Sequence, residues 1–205
     1  MNDTNIFIKS FGEECTRLPV VSNGKSIVVL SKPDILVNGI LQYVGEDVKR
    51  EGLKETPKRY IKFLEEFLNP APFEFTTFSA DNDEMVIVKD IPFYSLCEHH
   101  MAPFFGTGAI AYVPNEKIVG LSKLPRALDM FARRFQNQER IAHQLSEYIM
   151  EKLNPKGVGI ILKARHLCVE MRGVKKPGTE TITSAMRGVF KTDLNCRQEF
   201  LKLIS

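Results

Sequence analysis

The order of predicted strands and helices constrains the fold of this chain most strongly. Strands are predicted over residues 73–79, 85–91, 104–114, 158–174 and 181–190. Two helices with one apolar face each separate the third strand from the fourth, the first beginning after Ser122 and the second spanning 138–153. Because strands follow strands and helices follow helices, the pattern predicts an α+β domain with an antiparallel sheet.

Two more helices are predicted before the sheet. Ser31 caps the first helix and Pro33 occupies its first turn, and Thr56-Pro57 begins the second. Residues 1–30 show no clear period. We therefore expect an unassigned arm over 1–30, a helical segment over 31–72 and the main domain over 73–205.

Composition excludes several classes of protein. Of the 205 residues, 28 are basic and 25 acidic, so a net charge of +3 does not predict binding to nucleic acid. No apolar run approaches the roughly 18 residues that span a bilayer, and no secretory signal is recognisable, so we expect a cytoplasmic protein that binds no membrane. Without export, the four cysteines are free thiols or metal ligands.

Cysteine and histidine concentrate in two short clusters that predict a metal site. Cys97 and His100 are three residues apart and face one ion from a helical turn or a tight loop. His166 and Cys168 are two apart in a predicted strand and share a face. Thiolate and imidazole suit zinc. Ligation by Cys97, His100 and Cys168 leaves a position for water, with His99 and His166 beside the metal as proton carriers.

Two points about this site stay open at the level of sequence. A closed structural Cys₂His₂ site is the alternative to a catalytic one. An extended strand over 158–174 also places Glu170 and Arg172 on the face that carries Cys168, and Glu170 has no evident role.

Basic residues provide candidates for an anion site. Lys123 and Arg126 lie in the first turn of a predicted helix, on one side, where they oppose the helix dipole. A bound phosphate relieves this unfavourable placement. Arg172 and, further away, Arg59 are additional candidates, and ordinary solvated surface charge is the alternative for each.

Several short motifs, in order, resemble one known family. They are Cys97-Glu98-His99-His100, Gly120-Leu121-Ser122-Lys123-Leu124, Gln136-Asn137-Gln138-Glu139-Arg140, His166-Leu167-Cys168 and Met171-Arg172-Gly173. Upstream, Gly45-Glu46-Asp47, Arg50-Glu51-Gly52-Leu53 and Thr56-Pro57-Lys58-Arg59 continue the match. From Pro33 to the C-terminus, the chain resembles the GTP cyclohydrolase I family.

This resemblance implies a fold, an assembly and a reaction. The fold is the tunnelling fold, in which antiparallel sheets with paired helices join between subunits into a β-barrel. The assembly is a homodecamer of two face-to-face pentamers, and residues 73–205 are the catalytic domain. The reaction converts GTP and water to 7,8-dihydroneopterin triphosphate and formate, for folate-type pterins or 7-deazaguanines.

The resemblance also implies roles for individual residues. The positions that match the zinc ligands are Cys97, His100 and Cys168. Those that match the catalytic histidines are His99 and His166. Those that match the guanine-recognition segment are Gln138 and Glu139. Those that match ribose and triphosphate contacts, some reaching a neighbouring subunit's site, are Ser122, Lys123, Arg126, Arg172 and Arg59.

The expected chemistry is hydration of guanine C8. A zinc-bound water is a usable nucleophile near neutral pH, and His166 protonates N7 as C8 is attacked. His99 and Ser122 are candidates for acid–base catalysis in the later ribose opening and ring closure. Glu139 accepts from guanine N1–H and the 2-amino group, which adenine does not offer in that pattern. A non-catalytic zinc and nucleotide sensor, or another tunnelling-fold enzyme acting on a pterin or deazapurine, are the rival functions.

Overall fold

The chain consists of two compact units, each described here by itself. The computed structural model describes residues 17–22 and 25–30 as backbone and residues 32–205 in full. The units are Met1–Asn69 and Pro70–Ser205. No helix among the described residues is long and apolar enough to span a membrane.

The first unit contains a strand pair and two helices. Strands β1 (Arg17–Ser22) and β2 (Lys25–Leu30) pair antiparallel. Helices α1 (Pro33–Tyr43) and α2 (Thr56–Phe67) each have proline in the first turn, where a backbone N–H has no helical partner to lose. Both predicted helix starts are confirmed, whereas the predicted cap Ser31 lies outside the described residues.

The second unit is built on a five-stranded sheet in the order β7-β4-β5-β8-β9. Its strands are β4 (Val86–Cys97), β5 (Pro103–Val113), β7 (Phe135–Gln136), β8 (Gly157–His166) and β9 (Glu180–Gly188). All pairs are antiparallel except β4 with the short β7. The predicted α+β class with an antiparallel sheet is therefore confirmed, with one short parallel pair at the edge.

Helices cover the sheet on both faces. Helices α3 (Lys123–Ala132) and α4 (Gln138–Leu153) pack on one face, and α6 (Val189–Thr192) and α7 (Leu194–Ile204) pack on the other. Alternation along β5 divides its side chains between the two cores: Ile110 and Tyr112 join the larger cluster, and Ala109 and Ala111 join the smaller.

The middle of the sheet requires a glycine at position 106. A Cβ atom there would lie 1.9 Å from the Lys163 carbonyl oxygen and 2.7 Å from the Ala164 Cα. No side chain fits at that distance, so Gly106 permits the close approach of β5 to β8.

The first two predicted strands differ from the structure. Strand β4 continues to Cys97 instead of ending at 91, past a register shift between Val88 and Ile91 in which Asp90 has positive φ. Strand β3 (Thr77–Ser79) is shorter than the predicted 73–79, and it pairs antiparallel with β6 (Lys117–Val119). The turn residues between β3 and β4 therefore connect two separate sheets.

The long strand predicted over 158–174 is wrong in its second half. Strand β8 ends at His166, and α5 (Leu167–Glu170) follows as one helical turn. Pairing of β8 with β9 ends at Arg165 and pairing with β5 ends at His166, because β5 begins with Pro103. Beyond these residues no ladder supports an extended chain. Cys168 and Glu170 therefore do not share a strand face.

Side-chain hydrogen bonds cap two of the three longer helices in the second unit. Ser122 is the N-cap residue of α3, but its side chain makes no capping hydrogen bond. The Asn137 side chain accepts from the Arg140 backbone N–H at the start of α4. Asp193 accepts from the first backbone N–H groups of α7.

Candidate metal centre and nucleotide site

A tight turn at the end of β4 presents three of the predicted site residues. The backbone N–H of Met101 donates to the Cys97 carbonyl at 2.8 Å, and that of His100 donates to the same oxygen at 3.3 Å. The reversal at Met101 uses a positive φ of 55°. Buried Cys97 and exposed His99 and His100 thereby project from one turn. Of the two local structures predicted for this motif, the tight loop is the one observed.

Cys97, His100 and Cys168 lie together as a group that could hold a metal ion. Their ligand atoms all lie within 4.8 Å of one another, with Cys97 Sγ 3.9 Å from His100 Nδ1. The turn α5 supplies half-buried Cys168. Two thiols and one imidazole at this separation fit a tetrahedral cation that keeps one position open.

The surroundings of Cys168 favour its protonated thiol form. Burial, and then the adjacent Cys97, raises the pKa of the Cys168 thiol. A divalent cation reverses this preference, because ligating thiols are deprotonated. His99 Nδ1 lies 3.8 Å from Cys97 Sγ but is outside the three-residue group, so the described residues do not form the alternative closed site with four ligands.

His166 is held rigidly at the end of β8. Its ring stacks on Phe104, with centroids 4.5 Å apart and planes 6° from parallel. Its Nε2 atom lies 2.9 Å from Gln138 Oε1. Burial lowers the pKa of His166, and the Glu139 carboxylate partly offsets that effect. A neutral imidazole is therefore favoured here.

The buried Gln138 side chain determines which nitrogen of His166 carries the proton. Gln138 Nε2 donates to the carbonyl of Leu162 at 2.9 Å and to that of Thr181 at 3.0 Å. Both amide hydrogens are therefore committed, and Oε1 is the atom that faces the histidine. Since this oxygen only accepts, His166 Nε2 is the N–H donor and Nδ1 has the free lone pair.

Glu98 ties the Cys97 turn to the start of α4. Its carboxylate receives two hydrogen bonds from Arg140, at 2.5 and 2.9 Å, and one from Asn137 Nδ2 at 3.0 Å. Hydrogen bonding from Arg140, and then from Asn137, holds the pKa of Glu98 below its usual range. The paired charges keep the turn and the helix in register.

The sequence did not predict the supporting roles of Glu98, Arg140 and Phe104. Glu98 and Arg140 lie inside motifs whose neighbouring residues carry the predicted site. An acidic residue between two predicted metal ligands is a signal for an outer-shell contact, because ligand-bearing segments are commonly hydrogen-bonded. Phe104 carried no signal, since its contact with His166 depends on the register of β5 and β8.

The predicted substrate contacts fall in several places. Glu139 is exposed in the first turn of α4, and Arg172 Nη1 lies 2.8 Å from His100 Nε2. Lys123 and Arg126 lie in the first turn of α3, where, among the described residues, their side chains have no hydrogen bond or ion pair. Ser122 precedes them and is exposed, and exposed Arg59 lies on α2 in the first unit.

Comparison with known proteins identifies the family. The family model described as GTP cyclohydrolase I matches residues 35–205. GTP cyclohydrolase 1 of Carboxydothermus hydrogenoformans is 51% identical over 179 residues, covering 84% of this chain and 93% of that protein. Those of Geobacillus kaustophilus and Aquifex aeolicus are each 52% identical, over 171 and 166 residues; each alignment covers 80% of this chain, and 91% and 90% of the respective relatives.

The fold agrees with these matches. A mainly antiparallel sheet with a helix pair on one face is the subunit arrangement that the tunnelling-fold resemblance implied. Identity near one half extends over most of this chain and most of each relative. The chain belongs to the GTP cyclohydrolase I family.

Proposed function

We propose that this chain converts GTP and water to 7,8-dihydroneopterin triphosphate and formate, the first step of pterin biosynthesis. Membership of the family supports the reaction. The observation that carries it furthest is the meeting of the Cys97, His100 and Cys168 group with an orientated, neutral histidine in one unit. We expect the enzyme to act in the cytoplasm.

Zinc is the cation that this donor set favours. Cys97, His100 and Cys168 would hold it, since thiolate and imidazole ligands exclude calcium and magnesium. When bound, zinc supplies Lewis acidity and a water of lowered pKa at its open position. The protein residues around it must then orientate guanine and move protons.

His166 is the residue proposed to move the proton at guanine N7. Gln138 holds the proton on Nε2, so Nδ1 receives a proton from the attacking water and passes it to N7. The lowered pKa keeps Nδ1 unprotonated near neutral pH. Stacking on Phe104 restricts ring rotation during the transfer.

Recognition of guanine is assigned to the start of α4. The Glu139 carboxylate accepts from N1–H and the 2-amino group, and backbone N–H groups of the first turn suit the O6 atom. Gln138 belongs to this segment through its backbone, while its side chain positions His166. Adenine presents neither donor pattern to the carboxylate.

His99 and Ser122 are proposed for the later ribose opening and ring closure. Both side chains are exposed, and His99 Nε2 lies 3.9 Å from the Glu98 carboxylate. An imidazole at this position can serve as a general acid or base for the ribose steps. The Ser122 hydroxyl is free of a capping role and remains available to a substrate hydroxyl.

The triphosphate is assigned to the basic side chains Lys123, Arg126, Arg172 and Arg59. Lys123 and Arg126, which have no hydrogen bond or ion pair within the part of the chain that the structure describes, provide charge at a helix N-terminus. Arg59 is proposed to reach the site of a neighbouring subunit in a homodecamer of two pentamers. We expect GTP as substrate, with no nucleic-acid or membrane partner.

Incubation of the purified protein with GTP tests this function directly. We expect formate release together with a pterin fluorescence after oxidation, in equal amounts, and neither product from the His166→Ala variant. Nucleotide binding without formate would support a sensor, and turnover of a pterin or deazapurine but not GTP would support another tunnelling-fold activity. Either result would overturn the proposal.

A further inference from the structure

An ion pair brackets the segment that carries Cys168, and the reaction as proposed assigns it no role. Arg165 Nε donates to Glu170 Oε1 at 2.8 Å, and Arg165 Nη2 donates to Oε2 at 2.6 Å. This is a bidentate, charge-assisted contact, the strongest geometry for such a pair. The ion pair joins the penultimate residue of strand β8 to the last residue of α5. His166 and Cys168 lie between its two partners in the sequence.

Both partners of this pair are anchored to other elements. The Glu170 side chain is only 6% exposed, and its carboxylate also receives the backbone N–H of Gly178. The backbone of Arg165 lies opposite that of Glu180 in the ladder between β8 and β9. The Arg165 guanidinium lies 6.0 Å from the centre of the Phe105 ring. The sheet therefore sets the position of Arg165, and Arg165 sets that of Glu170.

The turn that holds Cys168 has little support of its own. Helix α5 has four residues, and a single turn fixes several dihedral angles for few hydrogen bonds. The backbone N–H of Met171 closes it onto the Leu167 carbonyl at 3.0 Å. A contact from Lys176 N–H to the Val169 carbonyl at 3.3 Å ties on the following loop. Glu170 supplies the side-chain bond at the C-terminal end of this turn.

We propose that Glu170 is a positioning residue which, through Arg165, holds the Cys168 sulfur opposite Cys97 and His100 and so slows release of the metal. The inference rests on the proposed metal site. It also gives Arg172, two residues further on, a fixed starting point beside His100. An outer-shell contact of this kind typically alters metal affinity by about 10- to 100-fold.

The test measures metal release from the zinc-loaded full-length protein by a chromophoric chelator in excess. Glu170→Gln keeps the shape of the side chain but loses its charge and one acceptor, and Arg165→Lys keeps the charge but loses the fork. We expect each variant to release zinc about tenfold faster or more. The matched control is Asp83→Asn, which breaks the Lys156–Asp83 ion pair, also 2.6 Å, away from the site.

Two further measurements separate positioning from general support of the fold. The thiolate-to-metal absorption band of the cobalt(II)-substituted protein should shift in Glu170→Gln and Arg165→Lys but not in Asp83→Asn. The metal-free forms of the two site variants should keep the circular dichroism spectrum of the unsubstituted protein and a single cooperative thermal transition. The double variant should release zinc no faster than the more affected single variant, because both substitutions break one contact.

Each outcome decides the question. Unchanged zinc release and an unchanged cobalt spectrum in both variants would overturn the inference while the metal site stands. If Glu170→Gln fails to fold, Arg165→Lys decides by the same two measurements. An unsubstituted protein that takes up neither zinc nor cobalt would overturn the metal assignment and this inference together.

Discussion

At the scale of single residues, hydrogen bonding distinguishes side chains that the sequence treats alike. Gln138 and Glu139 are neighbours in one motif, yet Gln138 is buried with every amide group engaged while Glu139 is exposed. One therefore orientates His166, and the other remains available to a ligand. The metal group makes a similar distinction between adjacent His99 and His100.

Substitution of Cys168 should remove zinc. Cys168→Ser replaces a soft thiolate ligand by a hydroxyl, and we expect less than about a tenth of the zinc content of the unsubstituted protein by metal analysis, consistent with the loss of one of three ligands. The control is Cys196→Ser on α7, another half-buried thiol, which should retain its zinc. Undiminished zinc in Cys168→Ser would contradict the ligand assignment.

Substitution of Gln138 by glutamate should shift the pH dependence of turnover. The substitution replaces the amide donor to the Leu162 and Thr181 carbonyls by an oxygen. The charge of the ionised group beside His166 favours the protonated imidazole and raises the pKa of His166, which burial lowers in the unsubstituted protein. The neutral form is then lost at a higher pH as the solution is acidified. We expect the acid limb of the kcat profile to move up by about one pH unit.

The control for this shift is Gln198→Glu, which adds the same charge on exposed α7. Its acid limb should coincide with that of the unsubstituted enzyme. An unchanged limb in Gln138→Glu would remove His166 Nδ1 from the proposed proton transfer, because no other described contact sets its tautomer.

At the scale of elements, local periodicity predicted the helices better than the strands. The bounds of α4 agree with the sequence prediction because its apolar residues repeat at helical spacing over four turns. The predicted range for β8 runs past the end of the strand, since that end depends on where β5 and β9 cease to pair with it. That limit is set by residues distant in sequence, and no local pattern records it.

Close contact of β5 with β8 makes Gly106 sensitive to a single methyl group. Gly106→Ala places a Cβ against the Lys163 carbonyl, so the strands must separate. We expect the free energy of unfolding to fall by about 1–3 kcal/mol or more, measured by denaturant titration. Gly39→Ala in α1, where a Cβ meets nothing within 4 Å, should not destabilise the protein. Equal stability of both variants would contradict the register of these strands.

At the scale of the whole molecule, the sheet has an open edge. Strand β9 pairs with β8 alone among the described residues, and exposed Ile182 lies along it. An unprotected strand of this length is a template for pairing with another chain. This edge, together with the family resemblance, supports the proposed ring-based oligomer, in which closure of a barrel removes such edges.

Mixing two inactive variants tests the shared site. Cys168→Ser chains would lack a proposed metal ligand, and Arg59→Ala chains would lack the phosphate contact proposed for α2. If the two residues serve one site from different subunits, exchange between the variants should restore up to about a quarter of the activity, the share expected when half of each partner is competent. Mixed Cys168→Ser and His166→Ala chains, altered in one unit, should restore none. If light scattering shows that the active species is a monomer, both the oligomer and the site shared between subunits are contradicted.

The sequence by itself determined the types of ligand, the starts of the main helices and the class of the fold. These features depend on residues three or four apart, or on the order of elements, which the chain encodes locally. Only the tertiary structure decided that Gln138 meets His166 across 28 positions and that Arg140 meets Glu98 across 42. Such pairs form because strand register and helix packing bring their backbones together, and the energy that selects them comes from the whole core instead of from either segment.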